Sequence, residues 1–247
     1  MPSQSTLPSS HSPRRAKTGA VKRAIVIGSS DGIGFATAEA LLAEGWEVVG
    51  ASRSASMLSH AHYTHFICDV TSDDFRRLLR EQSAVPFQAV IYSVGIGEPV
   101  TPDDLSGDIR VLDVNLMAAV STAAIVLPAM IAARQGSLMV LSSLADVLVS
   151  SEYPSYNASK AALSSYFDGL GAALQSSGVT VGYVRFGFVD TKMAKARMRP
   201  LMVSRQVAAG VVMRALRKRQ RRVSFPVRMA LLVSALRIVQ SVKRLFA

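Results

Sequence analysis

The sequence predicts an α/β fold, a single domain on a doubly wound parallel sheet. Three observations carry this: short β-branched runs, Ala/Leu-rich helical runs between them, and a glycine turn after the first run. Ala24 to Ile27, Glu47 to Ala51, His65 to Cys68, Ala89 to Ser93, Leu138 to Ser142 and Thr180 to Arg185 read as strands covered on both faces. Ile33 to Glu44, Asp73 to Gln82, Val111 to Ala133 and Tyr156 to Gln175 carry helical spacing between them, so βα units repeat and the sheet is parallel. Gly187 to Pro200 then reads as an irregular loop, Ser204 to Arg217 as a helix and Val223 to Phe225 as a short last strand.

Pro226 opens a terminal helix. Ser234, Arg237, Ser241 and Arg244 fall on one side of it, against an apolar remainder of Met229, Leu232, Val233, Leu236, Val239 and Phe246. The helix is amphipathic and needs a cover. The domain reading is therefore a disordered basic arm over 1–22, the sheet domain over 23–225 and the amphipathic helix over 226–247.

Bulk properties narrow the function classes. A chain of 247 residues, 49% hydrophobic, can bury one sizeable core. Cys68 is the only cysteine, which excludes an internal disulfide and a multi-cysteine metal site and fits a reducing, cytoplasmic compartment. The arm lacks a secretory apolar run, although Arg14, Arg15 and Lys17 leave organelle targeting open. No uninterrupted run reaches the ~20 apolar residues that cross a bilayer, so a soluble or peripheral protein is expected. The net charge of +11 lies at the two ends rather than over the fold, which argues against nucleic acid. After Asp190 there is no acidic residue, while Arg214, Arg217, Lys218, Arg219, Arg221 and Arg222 form a cluster, a solvated helix end or an anion-binding surface. His60, His62 and His65 have no acidic or cysteine partner among them, and no metal is expected.

The chemistry begins at Gly28-Ser29-Ser30-Asp31-Gly32-Ile33-Gly34, between the first strand and the first helix. Gly28 takes the tight turn, Gly32 lets the backbone approach a pyrophosphate, Gly34 lets helix and strand pack closely, and the helix N-terminus attracts phosphate. This is the context of a Rossmann-type dinucleotide site. The second strand ends in Ser52-Arg53-Ser54, where a base suits a 2′-phosphate, so NADP(H) is preferred over NAD(H), although Asp31 adds a negative charge to the turn.

Tyr156 and Lys160 are four apart at a helix start and share a face. A phenol has a pKa of ~10, and a close ammonium would ease its proton exchange. Spacing alone leaves a surface lysine and a helix-start aromatic equally open.

From Lys22 to about Phe225 the sequence resembles the short-chain dehydrogenase/reductase family. The glycine turn is similar to its TGxxxGxG, Cys68-Asp69-Val70 to its adenine-contacting strand end, Val114-Asn115-Leu116 to its helix asparagine, and Gly187 to Thr191 to part of its PGxxxT; Ser143 precedes Tyr156 by the usual interval. The resemblance implies that Tyr156 protonates the carbonyl oxygen and Ser143 hydrogen-bonds it. It further implies that Lys160 holds the nicotinamide ribose and depresses the tyrosine pKa, and that Asn115 positions a relay water. Asp69 and Val70 would meet the adenine, Ser93, Val94 and Gly95 would line the cofactor, and Gly187, Val189 and Thr191 would lie at the nicotinamide. Ile27 replaces the motif's threonine, Tyr92-Ser93-Val94-Gly95 its Asn-Asn-Ala-Gly, and Phe186 its proline.

The expected function is NAD(P)(H)-dependent interconversion of a carbonyl and an alcohol. The apolar Val147, Leu148, Met193, Met198, Leu201 and Met202, on loops bounding the substrate pocket, suggest a hydrophobic or bulky carbonyl compound or merely pack the lid, and a lipid-linked compound would follow if the basic terminal helix meets a membrane. The small-residue faces around Ala158, Ala161 and Ala162 resemble those used for dimers and tetramers in the family, and the resemblance implies a homo-oligomer. Two further readings stay open: a catalytically silent cofactor-binding regulator, and a peripheral membrane enzyme held by its basic terminal helix.

Overall fold

The computed structural model describes residues 21–193 and 200–245. Met1 to Ala20 of the expected arm, Met198, Phe246 and the side chains of Lys243 and Arg244 lie outside the described residues. Seven parallel strands form one sheet in the order β3-β2-β1-β4-β5-β6-β7. They are β1 (Arg23–Ile27), β2 (Glu47–Ser52), β3 (Tyr63–Ile67), β4 (Ala89–Tyr92), β5 (Ser137–Ser143), β6 (Thr180–Phe186) and β7 (Arg222–Phe225). The helices are α1 (Gly32–Ala43), α2 (Asp73–Gln82), α3 (Ser106–Leu112), α4 (Ala118–Ala132), α5 (Pro154–Ala173), α6 (Arg205–Arg217) and α7 (Val227–Leu245). The fold is Rossmann-type, and the strand order reverses direction between β1 and β4, where such sheets open a ligand crevice.

Strand periodicity explains the two cores. Ala24 and Val26 face α1 and α6, joined there by Ala89, Ile91, Met139 and Leu141. Ile25 and Ile27 face the other way, with Val90, Tyr92, Leu138, Val140 and residues of α4 and α5. Because both faces are covered, the central strands are apolar over most of their length, which is why they read as near-continuous runs. The helix starts are capped as their residues dictate: Ser72 accepts from Phe75 N–H at 3.1 Å and Ser204 from Val207 N–H at 3.2 Å.

The structure corrects three expectations. β3 runs from Tyr63, two residues before the expected start. It is an edge strand without a fully buried position, so a search for continuous apolar runs misplaces it. The helix expected over Val111 to Ala133 begins at Ser106 and contains a π-turn, Asp113–Met117, around Asn115. That continuous Ser106–Ala132 segment is also long and apolar enough to cross a membrane by length and composition, because Asp108, Arg110 and Asp113 interrupt only its first part. Half of its apolar window is buried, with Ala119, Ala123, Val126 and Met130 in the core.

Candidate active site

The glycine turn joins β1 to α1 as a cradle. Gly28 has φ +92° and Gly32 φ +60°, conformations that favour glycine. A Cβ on Gly34 would overlap the Gly28 carbonyl oxygen and lie 2.5 Å from Ser93 Oγ. Thr191 closes over the turn, its methyl 3.2 Å from where a Gly32 Cβ would sit. β1, the loop after β4 and the loop after β6 thus converge on one backbone surface at a helix N-terminus, and this cradle fits a dinucleotide pyrophosphate. Ser30 and Ile33 are half-buried at its rim. Ser29 is wholly buried and its hydroxyl accepts from Tyr63 O–H at 3.0 Å, so its side chain faces away from the cradle. Asp31 caps α1, accepting from Gly32 N–H at 2.7 Å. Its carboxylate meets Lys192 at 2.8 Å and Arg205 at 3.6 Å, and the Lys192 hydrogen bond, with Gly32 N–H, holds its pKa below the usual carboxylate range. The charge that opposes phosphate at this turn is therefore neutralised by two cations from the far loop and α6.

At the end of β2, Arg53 and Ser54 are exposed, whereas Ser52 is buried with its hydroxyl against His65 Nε2 at 2.8 Å and Ser54 O at 3.0 Å. Of the two serines flanking Arg53, Ser54 is the free one. Asp69 accepts from Thr71 N–H at 2.9 Å and Thr71 O–H at 2.7 Å, and these bonds with nearby Arg53 and Arg110 lower its pKa. Val70 beside it is buried. Among the described residues no cluster of His, Cys, Asp or Glu could hold a metal.

Ser143 ends β5, and its hydroxyl accepts from Ala145 N–H at 3.1 Å. Tyr156 stands in the first turn of α5, half-buried, within hydrogen-bonding reach of Ser143. Burial raises its phenol pKa, the Ser143 contact lowers it and the nearby Asp146 charge raises it further. The phenol is therefore a buried acid held in place by Ser143. Lys160 Nζ lies 5.8 Å from the Tyr156 ring centre and donates to Leu141 O at 2.9 Å. Burial lowers its pKa to about 8. Asn115 is wholly buried in the π-turn: its Oδ1 accepts from Ile96 N–H at 2.8 Å, and its amide donates to Ile96 O and Ser159 Oγ, each at 2.9 Å. It ties the loop after β4 to α5, as π-turns at functional sites often do.

The depressed lysine pKa has a stability consequence. Charged below about pH 8 in the folded chain and below ~10.4 unfolded, Lys160 binds fewer protons when folded, so it destabilises at neutral pH and this cost fades as pH rises through that window. Lys160→Met is expected to gain about 2 kcal/mol at pH 7 after loss of the Leu141 bond is offset, measured by urea unfolding. The gain should shrink towards pH 10.

Ile96, Gly97 and Ser159 stand at the site although the sequence did not single them out. A Cβ on Gly95 would lie 3.2 Å from Lys160 Nζ and 3.6 Å from Asn115 Oδ1, and one on Gly97 would lie 3.3 Å from the Tyr156 ring. Gly97, Ile96 and Ser159 shape the cleft, yet only the spacing of Gly95 and Gly97 after a strand could have drawn attention to Gly97. Behind Ser143, buried Asp146 pairs with Arg185 at 2.5 Å and accepts from Ser164 at 2.7 Å. Gly187 donates its N–H to Phe225 O at 2.9 Å, with Met229 of α7 packed over it. Val189 is buried and bridges to Val203. Among the apolar loop residues, Val147 and Leu148 pack against Met229 and Val233, whereas Met193, Leu201 and Met202 stay exposed.

Residues 22–201 match the short chain dehydrogenase family. The chain belongs to the short-chain dehydrogenase/reductase family. An uncharacterized oxidoreductase from Staphylococcus saprophyticus is 30% identical over 188 residues, covering 70% of this chain and 80% of that protein. A very-long-chain 3-oxoacyl-CoA reductase from Emericella nidulans is 28% identical over 195 residues, 70% of this chain but only 56% of the relative. A short chain dehydrogenase from Burkholderia cenocepacia, solved in complex with NADP, superposes with a TM-score of 0.77 at 22% identity, covering 87% of this chain and 92% of that one. As a short-chain dehydrogenase/reductase, the protein is an NAD(P)-dependent oxidoreductase acting on CH–OH groups of small molecules.

Proposed function

We propose that the enzyme is an NADPH-linked reductase of a hydrophobic or lipid-linked carbonyl compound. The observation that carries the reading is the convergence of Ser143, Tyr156 and Lys160 beside the glycine cradle. When bound, the cofactor supplies the hydride, and the protein supplies binding, orientation and proton transfer. Gly28, Ser29, Ser30, Asp31, Gly32, Ile33 and Gly34 form the turn that receives the pyrophosphate, Asp69 and Val70 the adenine wall, and Ser93, Val94 and Gly95 the base of the groove. Gly187, Val189 and Thr191 flank the nicotinamide end. Tyr156 donates its phenolic proton to the substrate oxygen as negative charge develops there, and Ser143 O–H hydrogen-bonds the same oxygen. Protonated Lys160 stabilises the phenolate left behind and hydrogen-bonds the ribose. Asn115 Oδ1 keeps one acceptor site for a relay water beyond its bond to Ile96.

NADP(H) preference is supported by exposed Arg53 and Ser54 at the end of β2 and by the NADP bound to the Burkholderia cenocepacia neighbour. Arg53→Ala is expected to weaken NADPH binding about tenfold and NADH binding little, read by fluorescence titration. Tighter NADH than NADPH binding by the unaltered enzyme would overturn the preference. A hydrophobic substrate is supported by exposed Met193, Leu201 and Met202 and by the acyl-CoA reductase relative. A screen of ketones, keto sugars and ketoacyl thioesters followed by NADPH absorbance tests the whole reading; no turnover of any class would sink it. Cytoplasmic location and a homo-oligomer belong to the same reading. They are supported by the unpaired Cys68 and by Ala158, Ala161 and Ala162 on α5, the first two lining a groove beside Arg237.

A further inference from the structure

α7 follows β7 and lies at the site. Met229 and Val233, 4% and 8% exposed, pack on Leu144, Val147, Leu148 and Phe188, so the helix braces the turn that begins at Ser143. Gln240 continues the docked stripe, exchanging two hydrogen bonds of 3.2 Å with the Val149 backbone. At 100° per residue, positions 229, 233 and 240 point one way and 227, 231, 238 and 242 almost the opposite way. The second set is apolar and open: Val227, Leu231 and Ile238 are each about two-thirds exposed, and Val242 is about half exposed. Leu232 and Val239, both about half exposed, widen this face. The domain therefore covers only the narrower stripe of α7 and leaves its broader apolar face in water.

Charge identifies the cover. α7 itself carries Arg228, Arg237, Lys243 and Arg244 and no acidic residue. Arg228 sits within the exposed arc of α7, with Lys243 and Arg244 near the helix end in sequence. A second copy docking through this face would set cations against cations, whereas anionic lipid headgroups complement them while the acyl boundary takes the leucine, isoleucine and valine side chains.

We propose that α7 docks the enzyme on an anionic membrane surface through Val227, Leu231, Ile238 and Val242, with Arg228 at the headgroups. Because α7 packs on the turn after Ser143, docking brings the cleft to the bilayer; on the reductase reading above, the substrate is then a carbonyl borne by a lipid. The docking itself does not depend on that reading.

The experiment is co-sedimentation of the full chain with phosphatidylcholine vesicles, with and without about 30% phosphatidylglycerol. Partitioning should need the anionic lipid and weaken at high salt. Leu231→Gln combined with Ile238→Gln, both on the exposed face, should lower it about tenfold or more while thermal stability and turnover of a soluble carbonyl substrate stay unchanged. Equal partitioning of the two forms, or no binding to anionic vesicles, would overturn the proposal. So would a variant that breaks an oligomer in analytical ultracentrifugation, because the face would then be a subunit contact. None of the binding readouts requires turnover, so failure of the reductase reading would leave them intact.

Discussion

Tyr156→Phe should lower carbonyl reduction about a thousandfold or more, with NADPH affinity changed by less than about threefold. The substitution removes one oxygen and keeps the ring that packs beside Gly97 and Lys160. What is lost is the acid itself: the phenol that burial keeps protonated well above neutral pH, and that Ser143 holds in place. Steady-state kinetics with NADPH consumption and a fluorescence titration of the same preparations separate the two effects. Unchanged turnover would remove Tyr156 from the chemistry. Absent turnover in the unaltered chain, with cofactor binding intact, would favour a silent regulator.

Gly34→Ala should be nearly as severe for a different reason. The added carbon meets the Gly28 carbonyl and Ser93 Oγ, and the first is backbone that cannot rotate away. The expected cost is about 3 kcal/mol of stability, together with a loss of NADPH binding of about a hundredfold, because relief of the overlap must open the cradle. Gly169→Ala is the control. Gly169 lies within α5 with open space where its Cβ would go, and the change should stabilise by about 0.5–1 kcal/mol. If the two variants melt alike, the Gly34 contact does not constrain the turn.

Legibility in the sequence followed burial. β1, β2, β4, β5 and β6 are covered on both faces and appear as near-continuous apolar runs, so their positions were readable to within a residue or two. β3 was displaced because an edge strand is only partly covered and carries no continuous apolar run. The π-turn at Asn115 was invisible: its residues have ordinary helical character, and its asparagine bonds the Ile96 backbone and Ser159, contacts distant in sequence. The terminal helix was recognised as amphipathic, but Arg237, expected on its polar side, lines the groove beside α5, and Leu232 and Val239 remain half in water.

Residue types and spacings alone determined the α/β class and the glycine turn and set Tyr156 and Lys160 on one helix face, because each follows from patterns short in sequence; the reactive role of the pair came only with the family resemblance. Only the tertiary structure decided which serine beside Arg53 is free and that Asp31 is neutralised by Lys192 and Arg205. It alone also showed that burial lowers the Lys160 pKa and raises that of Tyr156. Those properties arise where strands and loops distant in sequence are brought together, and desolvation and charge pairing act through space rather than along the chain.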